Sequence, residues 1–186
     1  GRRVRVQPGA TIRAVNTVLA RYQRKLGPDP ASSVACTVGG VLADNSSGMS
    51  CGTIANSYQT LESMVIVLAS GTVLDTADPD ADDKLCSTEP ELVETLLRLR
   101  ETCRRPEHAE RIRHLFSMKN TMGYGLNSFL DHDSPSQILS HLMIGSEGTL
   151  GFIASAVMRT LPVMPQISTA LLHFPTLESA TTALPA

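Results

Sequence analysis

Thr37-Val38-Gly39-Gly40-Val41-Leu42-Ala43-Asp44-Asn45-Ser46-Ser47-Gly48 is the first of two glycine-rich segments in this chain, and Gly145-Ser146-Glu147-Gly148-Thr149-Leu150-Gly151 is the second. Both segments contain small polar residues, and neither contains a lysine. Glycine lets backbone N–H groups approach a ligand, and consecutive free N–H groups form a concavity that binds anions. The two segments therefore predict a cradle for a large cofactor that carries phosphate.

The spacing of these glycines excludes the common nucleotide-binding motifs. A doubly wound dinucleotide fold requires G-x-G-x-x-G between a strand and a helix, and a P-loop requires Gly-Lys-Ser/Thr. Neither pattern occurs in the first or the second glycine segment. A less common cofactor-binding fold is needed to explain the glycines.

The composition favours a domain with a buried core and argues against nucleic-acid binding. Hydrophobic residues make up 42% of the 186 residues, which is enough for a core. The net charge is -2, aromatic residues make up 4%, and tryptophan is absent. Nucleic-acid binding would require a basic face or aromatic stacking platforms, so we expect no nucleic-acid partner.

No segment predicts membrane insertion, secretion or a metal site. No apolar run approaches the ~20 residues that span a bilayer, and no apolar stretch of a signal peptide follows Gly1. The four cysteines have no C-x-x-C spacing, and no His, Cys and Asp set forms a metal site or a hydrolytic triad. We expect free thiols, with Cys51 either reactive or a small buried residue, and a cytoplasmic location.

The hydrophobic pattern predicts an α+β fold with hairpins, in which a mainly antiparallel sheet is flanked by helices. The predicted strands cover 4–7, 61–68, 72–76, 152–161 and 167–174. The first predicted helix starts at the N-cap Thr11 and ends near Gly27-Pro28. Further helices are predicted around 92–99, after Pro106 and over 138–143. Residues 75–83 contain five aspartates, and we expect an exposed, mobile loop there. A strand end followed by a helix N-cap is expected over 174–180.

Taken together, these segments resemble the FAD-binding domain of the vanillyl-alcohol-oxidase-like (PCMH-type) flavoproteins, and especially the FAD-linked D-lactate and D-2-hydroxyglutarate dehydrogenases. The resemblance covers nearly the whole chain and rests on the order and spacing of several segments. Those segments are 6–9, 28–32, 37–40 with Asn45 and Gly48, 51–53, 70–74 and 145–151. The chain departs from the usual family pattern at Asp44 and Ser46-Ser47, and a carboxylate at Asp44 would repel a pyrophosphate unless it points away.

Residues 56–58, 119–127 and 141–145 are similar to a narrower group of bacterial proteins that join such a dehydrogenase to an iron–sulfur region. This resemblance implies that residues 1–165 are the second lobe of an FAD-binding domain whose N-terminal lobe is missing. Residues 166–186 would start a truncated substrate or cap domain. Any iron–sulfur cluster would lie outside this chain.

The resemblance also implies which residues contact FAD. The cofactor-binding residues would be Pro28, Asp29, Pro30, Ala31, Ser32, Thr37, Gly39, Gly40, Asn45, Ser47, Gly48, Gly52, Glu147, Gly148, Gly151 and Ile153. The histidine that carries a covalent flavin in some relatives has no clear counterpart, so we expect non-covalent FAD. We assign no catalytic residue and no metal ligand, because those groups come from the missing domain in the related dehydrogenases.

Each of these residues could also have a purely structural role. Gly39 and Gly40 could form a tight turn that enters a short helix, and residues 28–32 could be a stiff connector. Glu147 could orient its own loop, and Ile153 could be a residue of the sheet core. Among the histidines we expect His108, His114 and His132 to be solvated and His141 to be packed.

The resemblance implies a fragment of an enzyme that oxidises a D-2-hydroxy acid, of the D-lactate or D-2-hydroxyglutarate type, by hydride transfer to flavin. Its partners would be that small molecule and an electron acceptor, and its location cytoplasmic or peripheral at the inner membrane. Two alternatives stay open: an α+β scaffold that does not bind FAD alone, and an FAD oxidase or reductase of another chemistry. The sequence specifies neither the hydroxy acid nor the oligomeric state.

Overall fold

A computed structural model describes residues 1–166 and 168–183 of the chain. Six strands lie within these residues: β1 (Arg3–Val6), β2 (Arg24–Lys25), β3 (Leu61–Val67), β4 (Val73–Asp75), β5 (Phe152–Arg159) and β6 (Leu161–Pro162). The helices there are α1 (Ile12–Ala20), α2 (Val38–Asp44), α3 (Ser57–Thr60), α4 (Ala81–Thr88), α5 (Pro90–Cys103), α6 (Pro106–Ser117), α7 (Ser128–Asp131), α8 (Pro135–Leu142) and α9 (Leu177–Thr182).

A four-stranded antiparallel sheet forms the centre, in the order β1-β5-β3-β4, and a two-stranded ribbon pairs β2 with β6. Strand β5 lies between β1 and β3, with Val4 opposite Met158 and Met64 opposite Ala156. The predicted hairpin is confirmed, since Ile66 of β3 pairs with Leu74 of β4. The α+β class with a mainly antiparallel sheet is thereby confirmed.

The hydrophobic core lies between the sheet and the helices. Ile66 and Leu74 on the sheet are fully buried, as are Leu85 of α4 and Ile138 of α8. Burying an aliphatic side chain of this size stabilises the fold by roughly 1.5–3 kcal/mol. The core therefore ties α4 and α8 to the sheet, and α8 leads directly into the second glycine segment.

The aspartate-rich residues 75–83 are more ordered than predicted. Helix α4 begins at Ala81, and Asp82 Oδ1 accepts a hydrogen bond from Ser136 N (2.8 Å). Asp82 Oδ2 accepts from Ser134 Oγ (2.6 Å), the N-cap residue of α8. Burial opposes the charge of Asp82, but these hydrogen bonds outweigh it and lower the pKa of the carboxyl. The prediction of a mobile loop was wrong for this residue, because a tertiary contact uses it to cap α8.

Helix α1 ends earlier than predicted. It stops at Ala20, and Gln23 adopts a left-handed backbone with φ of 54° before β2 begins. Tyr22, two residues beyond the helix, is 62% exposed. The N-cap prediction is confirmed, since Thr11 accepts a hydrogen bond from Ala14 N.

The strand predicted over 167–174 was wrong for residues 168–174, which are exposed and form no strand; Ile167 lies outside the described residues. The predicted helix start is confirmed, because Thr176 caps α9 in a capping box with Ser179. Over the described part of the chain, no helix has the length and apolar character required to cross a bilayer.

Candidate functional site

Most of the first glycine segment is a helix. Thr37 is the N-cap of α2, with its Oγ1 accepting from Gly40 N (3.2 Å), and Asn45 ends the helix in a left-handed conformation. Seven residues make α2 about 10 Å long. The site is therefore organised around the two ends of a short helix.

The N-terminal end of α2 carries fewer free N–H groups than predicted. Val38 N donates to Ala10 O (2.7 Å), and Gly39 N donates to Pro8 O (2.9 Å). With Gly40 N bound to Thr37, the first three N–H groups of the helix all have partners. The expectation of consecutive free N–H groups was therefore wrong for residues 38–40, because the Pro8–Ala10 turn and the Thr37 side chain occupy them.

Gly39 and Gly40 serve different purposes. A Cβ on Gly39 would lie 2.6 Å from Pro8 Cβ, so glycine is required for α2 to pack on the turn that follows β1. A Cβ on Gly40 would lie 3.4 Å from Thr37 Oγ1, an ordinary contact, and Gly40 itself lines a groove. Close packing explains Gly39, while open space next to a groove leaves Gly40 free for a ligand.

The second glycine segment packs against the C-terminal end of α2. Gly145 N donates to Leu42 O (3.0 Å), and Glu147 N donates to Ala43 O (2.9 Å), so two carbonyls of the last turn are satisfied. Gly145, Glu147 and Gly148 all have positive φ, at 82°, 53° and 79°. These positive φ angles turn the chain so that the second glycine segment lies beside the first.

A groove of about 450 Å³ runs between the two glycine segments and the Pro8-Gly9 turn. The residues that line it are Pro8, Gly9, Thr37, Gly39, Gly40, Ala43, Met143, Ser146, Gly148, Gly151, Phe152 and Ile153. Six of the predicted cofactor residues meet here, and no charged side chain lines the groove. Within the described residues, the N–H groups of Gly148 and Gly151 donate to no backbone acceptor.

Several of the other predicted residues, among them Asp29, Ser47 and Gly48, meet near the opposite end of α2. Asp29 N donates to Ser47 O (2.9 Å), and a Cβ on Gly48 would collide with the backbone of Asp29. Lys119 Nζ donates to Gly48 O (2.5 Å), which brings residues 119–127 to the same place. In this turn Pro28 and Pro30 are buried while Ala31 and Ser32 are exposed, and Gly52 lies farther along in an exposed turn.

Two carboxylates meet on the surface beside α2. Ser46 Oγ donates to Asp44, and Asp44 also faces Glu147. Partial desolvation, followed by the hydrogen bond and the repulsion from Asp44, raises the pKa of Glu147. Asp44 does not line the groove, so the carboxylate that departs from the family pattern points away from it.

A cluster of titratable side chains at α7 and α8 was not predicted. The rings of His132 and His141 stack with centroids 4.0 Å apart, and Tyr58 contacts His141 edge-on at 4.8 Å. Tyr58 OH donates to Asp131 Oδ2 (2.7 Å), and burial together with this carboxylate raises the pKa of the phenol. His141 is packed, as predicted, but the prediction of a solvated His132 was wrong.

Burial keeps both histidines neutral. It lowers the pKa of His141 to about 4, helped by the neighbouring His132, and lowers the pKa of His132 against the attraction of Asp131. No sequence motif links residues 58, 132 and 141, so only the packing of α3, α7 and α8 brings them together.

Cys51 and the potential metal ligands show no arrangement for chemistry within the described residues. Cys51 is buried and its Sγ donates to Ser47 O (2.9 Å), which fits the interpretation as a small packed residue. Residues 1–166 and 168–183 contain no group of three or more His, Cys, Asp or Glu side chains placed to hold a metal ion.

Comparison with known proteins finds a family match over the first part of the chain and similarity to several curated proteins. Residues 1–77 match the family described as FAD binding domain. The subunit GlcD of glycolate oxidase from Escherichia coli K12 is 43% identical over 51 residues, covering 27% of this chain and 10% of GlcD. D-2-hydroxyglutarate dehydrogenase from Haemophilus influenzae is 28% identical over 89% of this chain and 17% of its own length. D-lactate dehydrogenase from Archaeoglobus fulgidus is 26% identical over 92% of this chain and 27% of its own length.

One solved structure, an alkyldihydroxyacetonephosphate synthase, aligns with 89% of this chain and 20% of its own at a TM-score of 0.49 and 21% identity. The chain spans about a quarter or less of the length of the curated relatives it matches, with 27% the largest of the three shares.

Proposed function

Because the chain belongs to the PCMH-type FAD-binding flavoproteins, we propose that it binds FAD non-covalently in the groove between its two glycine segments. The observation that carries the proposal is this neutral groove, whose walls come from the family-matched residues 1–77 and from 143–153. We propose further that the chain is part of an enzyme that oxidises a D-2-hydroxy acid.

The groove residues fit such a cofactor. Gly40 and Gly148 leave the walls without side chains, so a ligand can approach the backbone closely. The N–H groups of Gly148 and Gly151 can donate to the ligand, and Thr37 adds a side-chain hydroxyl at the rim. Met143, Phe152 and Ile153 contribute apolar surface that excludes water.

The predicted residues at the other end of α2 form a second contact region in this proposal. It consists of Pro28, Asp29, Pro30, Ala31, Ser32, Asn45, Ser47, Gly48, Gly52 and Glu147. An extended dinucleotide is longer than the about 10 Å of a seven-residue helix, so one molecule can reach both ends of α2. The hydrogen bonds of Asp29 and Lys119 hold this end in one arrangement before a ligand binds, which lowers the entropy lost on binding.

The substrate class is taken from the names of the relatives. Glycolate, D-lactate and D-2-hydroxyglutarate are all 2-hydroxy acids, and proteins named for them share this segment. When bound, the flavin supplies the two-electron acceptor, and this chain supplies binding and orientation. We propose that residues 1–165 belong to the FAD-binding domain and 166–186 to a following substrate or cap domain. The groups that act on the substrate, and any iron–sulfur cluster, would lie elsewhere in a longer protein.

Flavin titration and turnover test the proposal in two steps. We expect the purified full-length protein to bind FAD, seen as quenched flavin fluorescence, and to reduce a dye acceptor with D-lactate or D-2-hydroxyglutarate. A protein with intact circular dichroism that leaves the fluorescence unchanged would contradict the cofactor assignment. Bound FAD with no turnover of any D-2-hydroxy acid would contradict the substrate class alone.

A further inference from the structure

A second, much smaller cavity lies at the C-terminal end of α2. Its volume is about 30 Å³, and amide side chains dominate its wall, including Asn45, Asn56, Asn120 and Asn127. A cavity needs roughly 10–15 Å³ on this measure to hold a water molecule, so there is room for one. Because charged side chains are absent from the wall, a neutral occupant is favoured.

Two residues of the wall each carry a side-chain oxygen that has no hydrogen-bond partner among the described residues. These oxygens are Asn45 Oδ1 and Asn127 Oδ1, both shielded from bulk solvent. Asn45 itself is only 7% exposed. Leaving a buried acceptor without a donor costs roughly 1–3 kcal/mol, so native proteins rarely do it.

The orientation of the Asn127 amide is determined by its neighbours. Its Nδ2 donates to Asp131 Oδ2 (3.2 Å), and a carboxylate can only accept. Tyr58 OH donates to the same oxygen (2.7 Å) and reinforces this arrangement. Flipping the amide would place Oδ1 against the carboxylate, so Asn127 Oδ1 is the atom left without a donor.

We propose that this cavity binds one ordered water molecule, which donates hydrogen bonds to Asn45 Oδ1 and Asn127 Oδ1. The water joins the C-cap of α2 to residues 119–127. The second glycine segment meets the same place, because a Cβ on Gly145 would lie 3.6 Å from Asn45 Cβ and 2.5 Å from Gly123 O. The bound water is thus a structural link among the three segments that shape one end of the candidate site.

Gly125→Ala tests the proposal through the sign of a stability change. A Cβ on Gly125 would lie 3.4 Å from Asn127 Oδ1, without a backbone collision and without positive φ. The added methyl group therefore fills the cavity next to the acceptor and displaces the water. We expect the unfolding equilibrium constant of the full-length protein to rise about tenfold, because Asn127 Oδ1 then faces a methyl group.

Gly9→Ala is the matched control. A Cβ there meets no atom within 4 Å, so this variant reports only the reduced entropy of the unfolded chain, which favours folding. If Gly125→Ala stabilises the protein as Gly9→Ala does, the cavity is dry and the proposal is overturned.

A high-resolution crystal structure of the wild-type protein provides a test that needs no variant. We expect density for one water within hydrogen-bond distance of both amide oxygens. A cavity without ordered density, or one in which a side chain donates to Asn127 Oδ1, would overturn the proposal.

Discussion

At the scale of single residues, two adjacent glycines differ in role: Gly39 allows close packing, and Gly40 lines the groove proposed to bind the ligand. The two positions are adjacent and both lie in the first turn of α2, yet only Gly39 faces the Pro8 side chain. Overpacking a close contact costs about 1–3 kcal/mol. Alanine in place of glycine within a helix otherwise stabilises by about 1 kcal/mol.

We predict opposite outcomes for the two alanine variants. Gly39→Ala lowers the free energy of unfolding by about 1–3 kcal/mol, because its Cβ collides with Pro8. Gly40→Ala keeps or raises that free energy but weakens FAD binding about tenfold, because a methyl group is added at the wall of the groove. Denaturant unfolding and flavin titration of both variants check this. Equal FAD affinity of Gly40→Ala and wild type would remove Gly40 from the cofactor site.

At the scale of secondary-structure elements, α8 connects the histidine pair to the second glycine segment. His141 lies in the last turn of α8, and its Nδ1 donates to Gln137 O (2.9 Å) in the same helix when that nitrogen carries the proton. The groups that face the pair from other elements are Tyr58, Asp131 and Asp133, with Arg104 bound to Asp133. Protonation of either ring would place a charge in this packed interface.

We predict that stability falls as pH falls from about 6.5 to about 4. An unfolded histidine has a pKa near 6.5, while burial lowers that of His141 to about 4, so in this window the unfolded chain binds the additional proton. The contribution of the neutral, buried His141 to the free energy of unfolding is therefore fully present above pH 6.5 and decreases as the pH falls below it. For His141 the loss is about 3 kcal/mol at most, and His132 adds in the same direction.

Urea unfolding across this pH range measures the effect. His141→Gln should flatten the pH dependence, whereas His108→Gln, which changes an exposed histidine, should leave it unchanged. An unchanged slope in His141→Gln would show that other groups control the acid sensitivity.

At the scale of the whole molecule, the chain divides into a packed body and an exposed tail. Strand β1 pairs with β5, so the first residues of the chain are held against residues 156–159. Beyond β6 the described residues contribute nothing to the core, and Leu171, Leu172 and Leu177 are 81%, 70% and 82% exposed.

We predict that chymotrypsin cuts this chain first near Leu171, Leu172 or Phe174. Exposed backbone outside helices and strands is accessible to a protease, whereas cleavage in the sheet requires unfolding. The remaining body should keep its thermal unfolding midpoint, measured by circular dichroism. First cuts between residues 1 and 162 would contradict the division at about residue 165.

Several features of the fold could be predicted because short-range patterns control them. Two β-prone runs on either side of Ser70-Gly71 predicted the hairpin of β3 and β4, and Thr11 predicted the start of α1. The end of α1 could not be predicted, because Gln23 turns the chain to meet β6, a strand far along the sequence. Asp82 was misjudged for the same reason, since its partner Ser136 is 54 residues away.

The amino-acid sequence alone determined the hairpin of β3 and β4, the helix starts at Thr11 and Thr176, and the two glycine segments with their resemblance to FAD-binding domains. These depend on local backbone preferences and on the order of motifs. Tertiary structure decided that the Pro8–Ala10 turn occupies the N–H groups of Val38 and Gly39, that both glycine segments line one groove, and that two histidines stack. Each of these contacts joins residues distant in sequence, and only the packing of the helices against the sheet places them together.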